Sequence, residues 1–124
     1  MLYLGRGEVT GTRLLDRSYV ERSVGRSSTT HNAAYGYLWW LNRPGSLRGA
    51  TDAVDAQGQP LRPETGQLAP SARDDAFAAL GFGGQVLLVD PASRTMVIRL
   101  GMPAQAGESY GFAEAATVLT RALR

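Results

Sequence analysis

The sequence contains no lysine, no cysteine and a single histidine, His31. Without cysteine the chain can form no disulfide and no thiolate metal site. Because histidine and cysteine are the usual ligands of transition metals, a transition-metal site in this chain would have to be mostly carboxylate. We therefore expect no metal centre and no cofactor. His31 itself, alone in a polar loop, is expected to be solvated surface rather than a catalytic group.

Basic charge is carried by arginine alone, with thirteen arginines spread from Arg6 to Arg124 and a net charge of +2. Nucleic-acid-binding domains concentrate basic residues in a stripe with interleaved aromatics. No such stripe is visible, so we expect no nucleic-acid partner. No apolar run is long enough to cross a bilayer, so no membrane span is expected either. The sequence leaves the cellular compartment open.

What is present favours one globular domain over residues 1–124, with 44% hydrophobic and 19% charged residues. Asp16 is predicted to cap a short helix over residues 17–23, with Tyr19 and Val20 facing inward. The aromatic run at 35–41 predicts one buried strand. Residues from about 42 to 75 lose all periodicity and predict a long loop.

The second half of the chain predicts an antiparallel sheet followed by a helix. Apolar, β-branched segments at 84–89 and 95–100 flank turn residues at 90–94, and a third strand is expected at 76–80. The closing helix is expected to present one apolar face and to have Ser109 as its N-cap. The residues predicted on that face are Phe112, Ala116, Leu119 and Leu123. The fold class is therefore α+β, an antiparallel sheet with a C-terminal covering helix.

One helix cannot cover both faces of such a sheet. We therefore expect uncovered apolar surface that meets a partner, and a homo-oligomer is one candidate. The acidic pair Asp74 and Asp75 precedes a strand, and because adjacent strand residues point apart it is a poor general acid and base pair.

A glycine-rich segment, Gly81–Gln85, separates two apolar strands. Glycines there permit unusual backbone dihedrals, close approach of a ligand, or a β-bulge. No helix follows the segment, so it is not a dinucleotide-binding fingerprint. Spacing alone favours a bulge over a ligand site.

Three segments in order resemble the C-terminal part of the β-lactamase-related serine hydrolases, a group that includes penicillin-binding proteins, class C β-lactamases, esterases and amide hydrolases. They are the Leu-Tyr-Leu-Gly-Arg-Gly segment with its continuation to residue 20, the aromatic segment 35–40, and residues 81–98. The resemblance implies an antiparallel sheet flanked by helices, of which this chain is an incomplete portion. It also implies acyl transfer through a nucleophilic serine to ester, amide or β-lactam carbonyls.

The nucleophile motif of that family, Ser-x-x-Lys, is excluded because the chain has no lysine. The nearest match, Ser23 to Arg26, offers a guanidinium that stays protonated and cannot act as a base. No tyrosine begins a Tyr-x-Asn motif either. We therefore expect no catalytic residue in this chain.

The third motif of the family has a counterpart. The resemblance assigns to the substrate-binding wall a set of five residues, Gly81, Phe82, Gly83, Gly84 and Gln85. The oxyanion N–H would come from Phe82 or Gln85. Phe82 stands where many members carry a cationic or histidine side chain, which favours an esterase- or amidase-like pocket. Trp39 is a candidate pocket liner, although aromatic strand residues usually pack in a core.

The first residues, Met1 to Leu4, are typical of the last turn of a helix with Gly5 as its C-cap. We therefore expect a truncated or split serine hydrolase that contributes the sheet edge and the third-motif wall. A small ester or amide substrate would bind with the help of a missing N-terminal portion. The alternative is a non-catalytic binding or assembly module that retains the sheet of the family.

Overall fold

A computed structural model of the protein describes residues 2–47, 57, 64–102 and 110–123. The elements in chain order are β1 (Glu8–Val9), β2 (Thr12–Arg13), α1 (Arg17–Gly25), β3 (Tyr35–Gly36), β4 (Trp39–Leu41), β5 (Gly45–Leu47), β6 (Glu64–Gly66), β7 (Phe77–Gly81), β8 (Gln85–Asp90), β9 (Thr95–Arg99) and α2 (Phe112–Ala122). The order of elements confirms the predicted α+β class.

The main sheet has five strands in the order β3-β4-β7-β8-β9, and every pairing in it is antiparallel. The three strands predicted in the second half of the chain are confirmed to within a residue or two. The turn between β8 and β9 is fixed by Asp90, whose carboxylate accepts bonds from the Ala92 N–H and the Ser93 hydroxyl. Acceptors of this kind are what the Asp-Pro-Ala-Ser sequence predicts for a hairpin turn.

One face of the sheet is covered by α2. Phe112, Ala116 and Leu119 are buried against β7 and β8, as predicted. Leu123 is exposed, contrary to prediction, because the helix ends at Ala122. The N-cap position is Gly111, whose N–H donates to the Glu114 carboxylate at 2.9 Å, whereas Ser109 lies outside the described residues.

The opposite face is covered in part by α1 and by the turn at residues 2–7. Leu41, Phe77 and Val89 form a second buried cluster there. Asp16 caps α1 as predicted, accepting the Ser18 N–H at 2.7 Å. Val20 is buried, but Tyr19 is exposed, contrary to prediction, because the inward stripe of this helix runs through Val20, Ser23 and Val24.

The aromatic run at 35–41 is a hairpin and not the single strand that its composition predicts. Tyr37 and Leu38 form a two-residue turn, with Gly36 opposite Trp39 and Tyr35 opposite Trp40. The chain reverses direction at Tyr37, so residues 37–40 do not continue one strand.

The long loop predicted from about 42 to 75 contains structure at both of its ends. Strands β5 and β6 pair with each other, with Ser46 opposite Thr65. Asn42 is fully buried and hydrogen-bonded to the backbone of residues 69–73. Residues 48–56 and 58–63 lie outside the described residues. The loop prediction failed because this segment is held by long-range hydrogen bonds from one polar side chain, and such contacts leave no periodic pattern in the sequence.

Residues 2–7 form turns. The Gly7 N–H donates to Leu2 O at 2.9 Å and the Arg6 N–H to Tyr3 O at 3.2 Å. This pair of bonds is the Schellman pattern, with Gly5 in the C-cap position, although residues 2–7 are turns and not the helical turn that the sequence predicts. Arg6, with φ of 51°, takes the left-handed conformation in place of the usual glycine.

Candidate functional site

The glycine-rich segment forms the loop between β7 and β8. Gly81 pairs with Gln85, which leaves Phe82, Gly83 and Gly84 as a three-residue connection. The strands on both sides belong to one hairpin, so the segment reverses the chain, and a three-residue connection that ends in a left-handed glycine is the kind that commonly forms a G1 bulge. Glycine suits such a reversal because it tolerates positive φ.

Gly83 and Gly84 both lie in the left-handed region, with φ of 77° and 78°. A Cβ on Gly83 would meet the Met102 sulfur, which is the flexible end of a side chain. A Cβ on Gly84 would meet Arg99 Nη1 and the backbone carbonyl of Tyr110, each at 3.1 Å. Both glycines are therefore favoured by backbone conformation, and at Gly84 close packing adds to it; Phe82 is left projecting with 87% exposure.

Arg99 on β9 holds this loop from one side. Its Nη1 donates to Gly84 O at 2.7 Å and to Gly101 O at 3.1 Å, with a longer bond of 3.4 Å to Gly83 O. The guanidinium also lies over the Tyr110 ring, 5.0 Å from its centroid. Several donors in a fixed fork suit arginine to this task.

The bond to Gly84 fixes the direction of the next peptide. All described peptide bonds are trans, and in a trans peptide the C=O and N–H point in opposite directions. The Gly84 carbonyl points at Arg99, so the Gln85 N–H points away from the guanidinium. A positive charge on the carbonyl side also polarises the peptide and makes this N–H a stronger donor.

A second turn lies at the same end of the sheet. Because β4 and β7 are antiparallel, with Trp40 opposite Ala78, the residues before Trp40 lie beside those after Ala78. The Tyr37–Leu38 turn therefore neighbours the Gly81 end of β7. We call these two turns, residues 37–38 and 82–84, the loop end of the sheet.

The Tyr37–Leu38 turn is strained. Both residues have positive φ, 50° and 70°, in a two-residue connection, which is the type I′ pattern that Asn-Gly normally occupies. Both are also exposed, Leu38 by 83%. Bulky residues in left-handed backbone are uncommon away from functional sites. The loop end thus presents three exposed apolar side chains, from Tyr37, Leu38 and Phe82.

Trp39 lies mainly in packing contacts. Its ring is 4.8 Å from the Tyr3 ring and 5.1 Å from the Phe77 ring, both edge-to-face. It is partly buried, and it anchors the base of the turn that precedes it.

The remaining sequence candidates are kept apart by the fold. Ser23 is buried and its hydroxyl donates to Val20 O at 2.9 Å within α1, so it has no access to a substrate. Asp74 and Asp75 face different arginines, at 3.8 Å and 3.1 Å. His31 is exposed. In the part of the chain that the structure describes, no three metal-ligating side chains come together, and no helix is long and apolar enough to cross a membrane.

Sequence reasoning missed Arg99, Tyr37 and Leu38. Gly36, which lies just before the turn, could have indicated it. However, neither Tyr37 nor Leu38 is a residue typical of a two-residue turn. Nothing local marks Arg99, since its partners come from the preceding hairpin and from residues 101–102. Comparison of the chain with family models, curated proteins and solved structures finds no match.

Proposed function

We propose that the loop end of the sheet is one wall of an acyl-transfer site of the β-lactamase-related serine hydrolase type. The substrate class is a small ester or amide with an apolar acyl group. The nucleophilic serine and its base would come from polypeptide outside these 124 residues, since a chain without lysine cannot hold the Ser-x-x-Lys pair. This chain would supply positioning and electrostatic stabilisation rather than bond-breaking groups.

The observation that carries the proposal is the exposed three-residue connection between β7 and β8, which Arg99 holds by its carbonyl groups. In acyl transfer the serine oxygen bonds to the carbonyl carbon, and the carbonyl electron pair moves onto oxygen as an oxyanion. A preoriented backbone N–H stabilises that charge without reorganising during the reaction. Arg99 fixes the Gly84–Gln85 peptide from the far side at 2.7 Å. Gln85 is the strand partner of Gly81, so the Phe82 N–H, in the exposed connection that Arg99 holds, is the oxyanion donor that we propose.

The exposed apolar side chains of the loop end support the choice of substrate. Phe82, Leu38 and Tyr37 are 87%, 83% and 47% exposed. A surface of this kind favours an apolar acyl or alcohol group over a carboxylate. Arg99 is less suited as a carboxylate anchor, because its Nη1 donates to carbonyls of residues 83, 84 and 101 and its Nη2 to Met102 O.

A second candidate, the assembly module, has its own supporting observation. Strand β9 is an edge of the sheet, and its outward side chains Met96 and Ile98 are 38% and 60% exposed. Leu100, just beyond the strand, is 78% exposed. An unpaired edge with an apolar face is a typical pairing surface between chains.

The test is reconstitution. The chain is purified alone, and also together with the Ser-x-x-Lys-bearing segment of the same genome that copurifies with it. Each sample is treated with a fluorophosphonate probe, which labels activated serines, and with p-nitrophenyl esters of increasing acyl length. We expect labelling and ester hydrolysis only in the complex, with the label on the added segment.

Arg99→Lys in the complex should lower kcat by about tenfold or more with little change in KM, as loss of an oriented oxyanion donor does. Arg94→Lys, an exposed residue of the β8–β9 turn, is the matched control. A complex that forms but never labels would overturn the hydrolase proposal and support the assembly module. Loss of that complex in Ile98→Lys, with the fold retained, would then place assembly at β9.

A further inference from the structure

A groove on the side of the sheet near α1 is lined by basic and hydroxyl side chains. Its volume is about 610 Å³. Its polar lining residues are Arg26, Ser27, Thr29, Thr30, Arg43, Ser46 and Asp74. Two arginines face one carboxylate, so the groove carries net positive charge.

Arg43 is under-satisfied in this groove. Its Nε is buried and has no hydrogen-bond partner among the described residues. Its ion pair with Asp74 spans 3.8 Å, longer than a hydrogen bond. A buried guanidinium N–H without an acceptor is costly, and such groups are normally paired. The Nε itself is closed to solvent, so a ligand in the groove would meet the rest of the Arg43 side chain, which is 30% exposed.

Arg26 lines the same groove and a neighbouring one, of about 430 Å³, that also contains Arg22 and Tyr37. Within the described ranges its guanidinium makes no hydrogen bond and no ion pair, and the residue is exposed. Its five donors are therefore available to a ligand in either groove.

The loop that carries the hydroxyl groups is held by its own side chains. The Ser27 hydroxyl accepts the Thr29 N–H and donates to Tyr35 O, at 3.1 Å and 2.7 Å. The Thr29 hydroxyl accepts the His31 N–H at 3.1 Å. A Cβ on Gly36 would lie 2.8 Å from the backbone N of Ser28, so the loop lies directly on β3. The groove wall is thus ordered before any ligand binds.

We propose that this groove binds the oxyanion group of a small ligand, a carboxylate or a phosphate. Arg26 and Arg43 would donate to its oxygens as two guanidinium forks, the geometry that suits both groups. The Thr30 hydroxyl, which also lines the groove, would add a neutral donor. The groove of about 610 Å³ contains no residue of the loop end, so this proposal does not depend on the acyl-transfer wall.

The test is NMR titration of the isotopically labelled chain at low salt with inorganic phosphate and, separately, with acetate. We expect saturable shifts at the Arg43 Nε–H and at the amides of residues 26–30. Arg26→Gln and Arg43→Gln should each weaken binding at least tenfold. Arg121→Gln, an exposed arginine of α2, should stay within twofold of the parent chain. Tighter binding of phosphate identifies a phosphate ligand, and comparable binding of acetate a carboxylate.

Equal shifts in all three variants, or shifts spread over every arginine, would overturn the proposal. If circular dichroism shows that Arg43→Gln does not fold, the variants of the exposed Arg26 test the proposal instead. Arg26→Lys keeps the charge but loses the fork, and should bind more weakly than the parent chain but more tightly than Arg26→Gln.

Discussion

The side-chain amide of Asn42 pairs with the backbone of Ala69 as one strand pairs with another. Its Oδ1 accepts the Ala69 N–H at 2.8 Å, and its Nδ2 donates to Ala69 O at 2.9 Å. Nδ2 also lies 2.9 Å from Arg73 O. Through this one buried residue the end of β4 is joined to the segment that leads into β7.

Asn42→Ala should destabilise the fold by about 3 kcal/mol, because it leaves a buried N–H and several carbonyls without partners. Asn42→Asp should be at least as harmful, since a carboxylate would face the carbonyls of Ala69 and Arg73. The measurement is the urea concentration at the midpoint of unfolding, compared between variants whose m values are the same.

Gln85→Glu is the control for that prediction. Gln85 is exposed at the start of β8, so its carboxamide can be replaced by a carboxylate in contact with solvent. The same chemical change should therefore leave the midpoint nearly unchanged. A similar loss in both variants would contradict the role assigned to Asn42.

The sequence predicted those parts of the fold that depend on local patterns. In three places the signal lies within a few residues of sequence: Asp16 before a polar helix, the turn at Asp90, and the helical spacing of Phe112, Ala116 and Leu119. The Asn42 network could not be found in this way. Its partners lie 27 to 31 residues away, and nothing in a Gly- and Pro-rich segment distinguishes a buried asparagine from a solvated one.

The candidate site was predicted in part. Gly81–Gln85 stood out as glycine-rich, but its role as a chain reversal depends on the pairing of β7 with β8. Tyr37 and Leu38 gave an apolar signal that favoured a continuous strand, and only the register of β3 on β4 places them in a turn. Local propensity is overridden at this turn, as is common where strain serves function.

Gly84→Ala should destabilise the protein by about 1–2 kcal/mol, the cost of left-handed backbone for an L-residue, and should displace Arg99 as well. Gly25→Ala is the matched control. Gly25 ends α1 without positive φ, and a Cβ there meets nothing within 4 Å. That change should be neutral or stabilising by up to about 1 kcal/mol. The thermal unfolding midpoint should therefore fall in Gly84→Ala and stay the same or rise in Gly25→Ala. A fall of similar size in both variants would contradict the requirement for glycine at position 84.

Hydrogen bonds from the Ser18 hydroxyl and N–H lower the pKa of Asp16 below its usual 3.8, with a smaller contribution from Arg22. A carboxyl whose pKa is lower in the folded state stabilises the fold above the unfolded pKa. That contribution is lost as the pH falls through the folded pKa. The unfolding midpoint should therefore drop as the pH falls below about 4, and Asp16→Asn should remove this part of the pH dependence while still capping α1. An unchanged pH profile in the variant would assign the transition to other carboxylates.

Leu38→Gly should stabilise the hairpin. Leucine in left-handed backbone costs about 1–2 kcal/mol, and glycine removes that cost while adding about 0.4–1 kcal/mol of unfolded-state entropy. Leu38 is 83% exposed, so little packing is lost, and the net gain should be about 0.5–1 kcal/mol. Leu14, which is 62% exposed and has no positive φ, is the control, and Leu14→Gly should destabilise instead. If Leu38→Gly is stabilising but weakens ester hydrolysis in the reconstituted complex, the strain at this turn is retained because the leucine contacts the substrate.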